Sequence, residues 1–290
     1  MSIIIAKNSA QPLEVRRMGY GTMRLTGPHI WGEPADRNEA LQILQQAVAQ
    51  GVNFIDTADY YGEDVTNRLI AEALYPYNKD LVICTKVGAT RKPDKSWVTY
   101  NTPQNLRDSI DNNLRTLKLE QISLVHFRVM PHSDVPFDES LSAMFELQKE
   151  GKILHVGLSN ISREDLQKGM TMGSIATVEN MYGHGQRTSM DNPYGGLTNG
   201  GEEVLDICEQ NHIPLIPYFS LFNSLPKADS KIAEIAKKYD VTEAQVNLAW
   251  LLHKSPWILP IPGTSSQAHL KENLLAVKIE LTQADMDYLG

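Results

Sequence analysis

The sequence predicts an α/β fold closed as a (β/α)8 barrel of the TIM type, with one domain spanning residues 1–290. Three observations carry that prediction. Short β-branched runs alternate with segments of helical period along the chain. Eight such units can be counted, and eight β-then-α units imply a closed barrel more than an open sheet. The runs also lack polar alternation, as strands buried on both faces should. A chain of 290 residues with 42% hydrophobic content can fill such a core, because barrels of this kind run about 250 residues as one domain.

The first strand is read in RRMGYGTM (16–23), before a helix over 38–50, and residues ahead of it predict a β-hairpin closing the barrel bottom. NFID (53–56) precedes TNRLIAEAL (66–74). LVICTKV (81–87) precedes a helix opened by Thr102 and Pro103, with Leu106, Ile110, Leu114 and Leu117 on one face. ISLVHF (122–127) precedes ESLSAMFELQKE (139–150), which Gly151 stops. ILHVGLSN (153–160) precedes a helix opening at SRED (162–165), where Ser162 and Asp165 have capping-box spacing. ATVEN (176–180) leads through a long loop to EEVLDICEQN (202–211). IPLIPYF (213–219) precedes DSKIAEIAKKY (229–239) and a second helix capped at TEAQ (242–245). WILPIPG (257–263) precedes AHLKENLLA (268–276), so extra helices gather near the C-terminus. Two stretches, 24–37 and 181–200, follow strands and read as candidate lids, because long loops in compact domains are usually functional or mobile.

Composition excludes several classes. A net charge of −8 argues against a nucleic-acid or anionic-membrane surface. No stretch reaches the ~18 apolar residues that span a bilayer, and the N-terminus lacks the basic start of a signal peptide. The two cysteines, Cys84 and Cys208, lie far apart in apolar surroundings. That pattern predicts no disulfide and a reducing, cytoplasmic setting. Neither CxxC nor HExxH occurs, so no metal site is expected.

In such a barrel the C-terminal strand ends carry the chemistry. There the sequence places Asp56, with Tyr61 five residues on, then Lys86 and His126 at the next two strand ends. Singly, each has an ordinary reading: a turn former, a snorkelling lysine, a core histidine. Jointly they make a proton-transfer set. A tyrosine, with a reference pKa of about 10, is a reluctant donor at neutral pH. A nearby ammonium stabilises its phenolate, a carboxylate balances a buried ammonium, and a histidine can orient a substrate oxygen. A Lys86 Schiff base is the competing chemistry for the same residues.

These four residues in this order resemble the catalytic tetrad of the aldo-keto reductases. GYGTM (19–23), DTADYYG (56–62), TKVG (85–88), LVHF (124–127), GLSN (157–160), PYFSL (217–221) and IPGTSSQAHLKEN (261–273) are similar to that family's motifs in the family's order. Within it, the GPHIWGEPADR and EALYPY (72–77) stretches resemble the bacterial branch described as pyridoxal reductases. The resemblance implies NADPH-dependent reduction of an aldehyde or ketone, pyridoxal to pyridoxine among the candidates. It implies Tyr61 as general acid, Asp56 and Lys86 as its tuning pair, and His126 as the substrate-orienting group. Ser159 and Asn160 would hold the nicotinamide carboxamide, Tyr218 would stack on the ring, and Gly21, Thr22 and Met23 would flank it. Phe219, Ser220 and Leu221 would line the pyrophosphate. Gly263, Thr264, Ser265, Ser266 and Gln267 would hold the adenosine ribose and its phosphate, with Glu272 and Asn273 at the adenine. A serine-asparagine pair at a strand end is also an ordinary helix cap.

Two departures from the family pattern stand out. Glu179 occupies a position where the family commonly has Gln; a carboxylate can accept from a carboxamide NH2 but cannot donate to its oxygen. The loop after IPGT has no Lys or Arg before Lys271. Ser265, Ser266, backbone N–H groups and His269 would have to hold a 2′-phosphate, which weakens the preference for NADPH and leaves NADH open. The alternative from a different class is a regulatory nucleotide-binding barrel like the potassium-channel β subunits. Trp31, Tyr60, Phe127, Arg128, Tyr182 and Tyr194 are candidate pocket residues. Tyr60 reads equally as packing, and Arg128 equally as the structural partner of Asp134 or Asp138. The partner expected is a small-molecule carbonyl compound; oligomeric state is not legible.

Overall fold

A computed structural model of the chain describes residues 1–187, 190–191, 197–198, 201–221 and 230–290. The N-terminal hairpin pairs β1 (Ser2–Ile5) with β2 (Leu13–Arg16) antiparallel. The barrel wall follows as β3 (Tyr20–Gly21), β4 (Phe54–Asp56), β5 (Val82–Arg91), β7 (Ile122–Arg128), β8 (Ile153–Ser159), β9 (Val178–Met181) and β12 (Leu215–Tyr218). These seven run parallel in the order of the chain. Antiparallel β6 (Trp97–Tyr100) folds back on the extended end of β5. β10 (Met190–Asp191) and β11 (Leu197–Thr198) form a two-residue pair in the 181–200 stretch.

The eighth position is filled by WILP, 257–260, bonded on both sides. Leu215 N–H donates to the Trp257 carbonyl at 2.8 Å and Leu259 N–H to the Leu215 carbonyl at 2.9 Å. On the other side, Gly19 N–H donates to the Pro260 carbonyl at 2.9 Å, which closes the ring. The predicted strand is only a bridge here because Pro260 and Pro262 have no N–H to give a ladder. Arg17 reinforces the join: its guanidinium donates to the carbonyls of Leu252, Ser255 and Ile258.

Around the wall lie α1 (Arg37–Ala49), α2 (Val65–Leu74), α3 (Pro103–Leu117), α4 (Phe137–Lys149), α5 (Arg163–Met172), α6 (Glu202–Gln210), α7 (Ser230–Tyr239), α8 (Glu243–Lys254), α9 (Gln267–Leu275) and α10 (Gln283–Leu289). The capping boxes read at Ser162/Asp165 and Thr242/Gln245 are both formed, and a third, Thr282/Asp285, opens α10. Each returns two backbone donors at a helix start to a partner.

Strand alternation sorts the core. Phe54, Val82, Cys84, Leu124, Ile216, Leu259 and Ile261 fill the barrel interior, and Ile3, Ile5 and Val15 of the hairpin plug it from below. The opposite faces of the same strands, including Val125 and Phe127, pack on helices. An inward position on β7 is therefore 124, 126 or 128, and 127 faces away. The candidate pocket residue Phe127 is corrected on this ground: it is buried against the helices, 6.0 Å from the Phe137 ring.

Candidate active site

Asp56, Lys86, His126, Arg128, Ser159 and Glu179 all come from inward strand positions near the C-terminal mouth. The strand ends that carry Asp56 and Lys86 are anchored from behind by a polar network inside the wall. Thr57 Oγ1 meets Thr66 Oγ1 at 2.9 Å and donates to Asn67 Oδ1 at 3.0 Å. Asn67 Nδ2 donates to Asn113 Oδ1 at 2.9 Å, and Thr85 Oγ1 donates to the same oxygen at 2.7 Å. All five side chains are fully buried. Thr57 and Thr85 directly neighbour Asp56 and Lys86, so the network fixes the two strand ends relative to α2 and α3. The sequence signal was there: Asn67 and Asn113 sit on helix faces that otherwise bury apolar residues.

At the centre, Lys86 Nζ donates to Asp56 Oδ1 at 2.5 Å and to the Thr57 carbonyl at 3.0 Å. Its ammonium is 3.4 Å from Glu179 Oε1 and 5.2 Å from the Tyr61 ring centroid. Burial opposes the Lys86 charge, but Asp56 and Glu179 outweigh it and hold the ammonium well above its usual range. Two carboxylates share this one ammonium and titrate as a pair. Burial and Glu179 push Asp56 up to about 8. Burial opposes the Glu179 charge as well, but Lys86 and His126 overcome it and keep Glu179 low. Burial pushes the Tyr61 phenol up, with Lys86 pulling the other way. The net direction is opposite to the lowering expected from lysine proximity alone, because desolvation dominates.

His126 is fully buried. Its Nε2 is 2.8 Å from Thr177 Oγ1, and its Nδ1 is 3.1 Å from Cys84 Sγ and 3.0 Å from Glu179 Oε2. Burial lowers its pKa against the pull of Glu179, which favours the neutral ring. Asp56, Cys84 and His126 bring ligand atoms within 4.8 Å of one another. The Lys86 ammonium already sits on Asp56 in that space.

A cavity opens above these groups. Its wall includes Gly21, Met23, Arg24, Asp56, Tyr60, Tyr61, Trp97, Arg128, Glu179, Tyr218, Phe219, Ser220, Leu221 and Gly263. Gly21 and Gly263 face each other so closely that a Cβ at Gly21 would lie 2.8 Å from the Ile261 carbonyl, and one at Gly263 would lie 2.7 Å from the Gly21 carbonyl. Near this wall Ser159 Oγ, Arg128 Nε and the Tyr60 hydroxyl are buried with no hydrogen-bond partner, while Glu179 Oε2 meets His126 Nδ1 alone. The Asn160 amide is engaged at both ends, donating to the Val129 carbonyl at 2.8 Å and accepting from Tyr218 at 3.2 Å.

Other expected residues lie further out. Thr22 is buried and donates to the Asp56 carbonyl. The Thr264 carbonyl accepts from Tyr20 at 2.6 Å, and Ser266 caps α9. Gln267 is tied to Gln42 and Gln46 of α1. The Glu272 carbonyl accepts from Gln245, and Asn273 is buried. Ser265 is exposed and lines an adjoining groove together with Arg24. Arg24 is the cation at this mouth that the sequence reading passed over; it follows the GYGTM motif directly.

Two aromatic expectations change. Trp97, carried by β6, takes the place expected of Trp31 in the wall, and Trp31 packs by the Arg91 guanidinium. Tyr182 is buried beside Trp250, with ring centroids 5.9 Å apart, away from the cavity. Tyr194 lies outside the described residues. Tyr60 stays at the wall, edge-on to both Tyr61 and Trp97.

A parallel barrel with a lysine–carboxylate centre beneath a tyrosine-lined mouth defines a barrel oxidoreductase. The chain belongs to the aldo/keto reductase family, whose model matches residues 17–290. It is similar to pyridoxine 4-dehydrogenase of Escherichia coli K12, with 39% identity over 93% of this chain and 92% of that one. An uncharacterised oxidoreductase of Schizosaccharomyces pombe is 37% identical over 92% of this chain and 83% of its own. Among solved structures, a thermostable aldo-keto reductase bound to the inhibitor epalrestat matches with a TM-score of 0.82 and 29% identity, covering 100% of this chain and 98% of that one. The protein is thus an oxidoreductase of a family that uses a nicotinamide cofactor for carbonyl reduction. No helix among the described residues is long and apolar enough to cross a membrane.

Proposed function

We propose that the protein reduces an aldehyde to an alcohol with NADPH, with Tyr61 as general acid, and that pyridoxal is a substrate. The observation that carries this reading is the Tyr61 environment. Tyr61 lines the cavity, its hydroxyl bonds to no described residue, and the Lys86 ammonium stands behind its ring, held by two carboxylates. Burial keeps the phenol protonated until a substrate oxygen gains negative charge, and the ammonium then stabilises the phenolate left behind. A bound nicotinamide supplies the hydride. The residues present fit such a group. Ser159 Oγ is an unpartnered donor, and Glu179 Oε2, which meets only His126 Nδ1, keeps acceptor capacity, so together they would give a carboxamide the donor and acceptor it needs. That pairing would accommodate a carboxylate at 179. Tyr218 offers a flat wall, and Arg24, which lines a groove with Ser265, would supply the positive charge toward a 2′-phosphate that the 264–270 stretch lacks, which supports NADPH over NADH. Pyridoxal is favoured by the name and the 39% identity of the E. coli relative.

The test is NADPH and NADH consumption with pyridoxal and a panel of aldehydes, repeated on Tyr61→Phe. Reduction should vanish in the variant while NADPH still quenches protein fluorescence. Persisting reduction would mean a different proton donor. Tight NADPH binding with no aldehyde reduced by the parent protein would favour the regulatory barrel reading, and borohydride trapping would expose a Lys86 Schiff base.

A further inference from the structure

His126 and Arg128 share the inward face of β7, one pleat apart, about 6.6 Å along the strand. Their surroundings differ. Both ring nitrogens of His126 are engaged by the protein, and the residue takes no part in the cavity wall. Arg128 stands one step nearer the mouth and does line the wall, beside Tyr60 and Tyr61. Its Nε is buried with no hydrogen-bond partner. It forms no ion pair among the described residues, and Asp138, one partner expected of it, pairs with Lys168 at 3.2 Å. Leaving a buried N–H unmet costs roughly 1–3 kcal/mol, and more for a charged group. The Tyr60 hydroxyl next to it is also buried and unmet. Trp97, 5.9 Å from the guanidinium carbon, walls it on one side.

We propose that Arg128 binds a second oxygen of the substrate, adjacent to the reacting carbonyl and anionic, such as an ortho-phenolate, and thereby selects which aldehydes are reduced. The assignment rests on the carbonyl reduction proposed above. A guanidinium is always charged, and its planar fork of donors suits an oxyanion. The groups around it favour an anion. Lys86 is already paired with Asp56 and Glu179, whereas Arg128 has no carboxylate partner among the described residues, and burial favours the neutral ring of His126. Arg128 therefore keeps an uncompensated charge at the wall, which a phenolate would neutralise. Pyridoxal has a phenolic oxygen beside its aldehyde, which places it in this class.

The experiment compares 2-hydroxybenzaldehyde with benzaldehyde. The parent protein should favour the hydroxylated aldehyde at least tenfold in kcat/KM. Arg128→Met should erase most of that ratio, and Arg128→Lys should restore part of it. His126→Gln should lower both substrates by the same factor and leave the ratio intact. A reading free of turnover uses the protein with NADP+. Bound 2-hydroxybenzaldehyde should show its phenolate absorption band at pH 7 in the parent and in Arg128→Lys, but not in Arg128→Met. Equal efficiency on both aldehydes, or a ratio unchanged in Arg128→Met, overturns the assignment and leaves carbonyl reduction standing. If no aldehyde is reduced at all, it is the carbonyl-reduction reading that fails, and the absorption band still decides Arg128: its absence from the parent overturns the assignment.

Discussion

Glu179 reaches from β9 to within 3.4 Å of the Lys86 ammonium on β5, so one buried lysine serves two carboxylates. The relationship has a measurable signature in pH.

In the folded chain Asp56 titrates near 8, above the ~3.9 of an unfolded aspartate. The folded state then holds a proton that the unfolded state has lost, so stability falls as pH rises through that window, by at most ~1.4 kcal/mol per pH unit. Glu179→Gln removes the second carboxylate and much of this slope. The melting temperature of the variant relative to the parent should climb steadily between pH 5 and pH 8; a constant difference would show that the two carboxylates do not share a proton.

The buried network behind the strand ends predicts a second effect. Asn113 accepts from Asn67 and Thr85 and donates to the Ser109 carbonyl at 2.8 Å. Asn113→Ala leaves these groups buried and unmet, at a cost of about 2–4 kcal/mol. Urea unfolding should show that loss, and kcat should fall because Lys86 sits next to Thr85. Asn113→Ala with parental stability would mean that water substitutes for the amide.

Gly157 is the floor under His126. A Cβ there would lie 2.4 Å from His126 Cδ2 and 2.6 Å from Thr177 Oγ1. Neither neighbour has room to yield inside the barrel, so Gly157→Ala should cost about 1–3 kcal/mol by overpacking. It should also break the His126–Thr177 hydrogen bond, visible as a shifted imidazole resonance in an NMR spectrum.

Much of this was legible in sequence. Eight alternating units announced the barrel because parallel strands must be bought with crossover helices, which leaves a period no other layout produces as simply. Asp56 and Lys86 were legible because polar residues at the ends of buried strands stand out, and Tyr61 through its five-residue offset from Asp56 in the loop that follows. Arg128 and Phe127 were not separated, since parity on β7 depends on which residue pairs with Lys86, and only the register with β5 and β8 settles it. Trp97 was missed because β5 runs on to Arg91 and turns back as β6, a hairpin arm hidden by the polar run KPDK. The closing strand was read as longer than it is, because its prolines weaken a ladder that its β-branched residues suggest.

Asp285 offers a prediction far from the site. Its carboxylate accepts from Lys238 and Tyr239, each at 2.5 Å, and from the Thr282 hydroxyl at 2.6 Å. Burial works against its charge, yet these donors hold it well below the ordinary carboxylate range. Lys238 is 52% exposed, so its share is screened and the capping contacts dominate. Asp285→Ala should cost about 1–2 kcal/mol at pH 7. A depressed acid stabilises above its unfolded pKa and ceases to as pH falls through its folded one, so parent and variant should converge in acid. Melting curves at pH 7 and pH 3 measure the gap; a gap as wide at the lower pH would contradict the charge-based account.

The proline-interrupted ladder at residues 257–260 leaves the ring with a seam. Across it, Gly21 and Gly263 nearly touch, and the cavity opens directly above. A dinucleotide lying along that cavity would stitch the first and last strands of the barrel together, so ligand occupancy and ring closure become one equilibrium. Amide exchange at Gly19 and Leu259 would then slow when cofactor binds, making the seam of the fold also its gauge of occupancy.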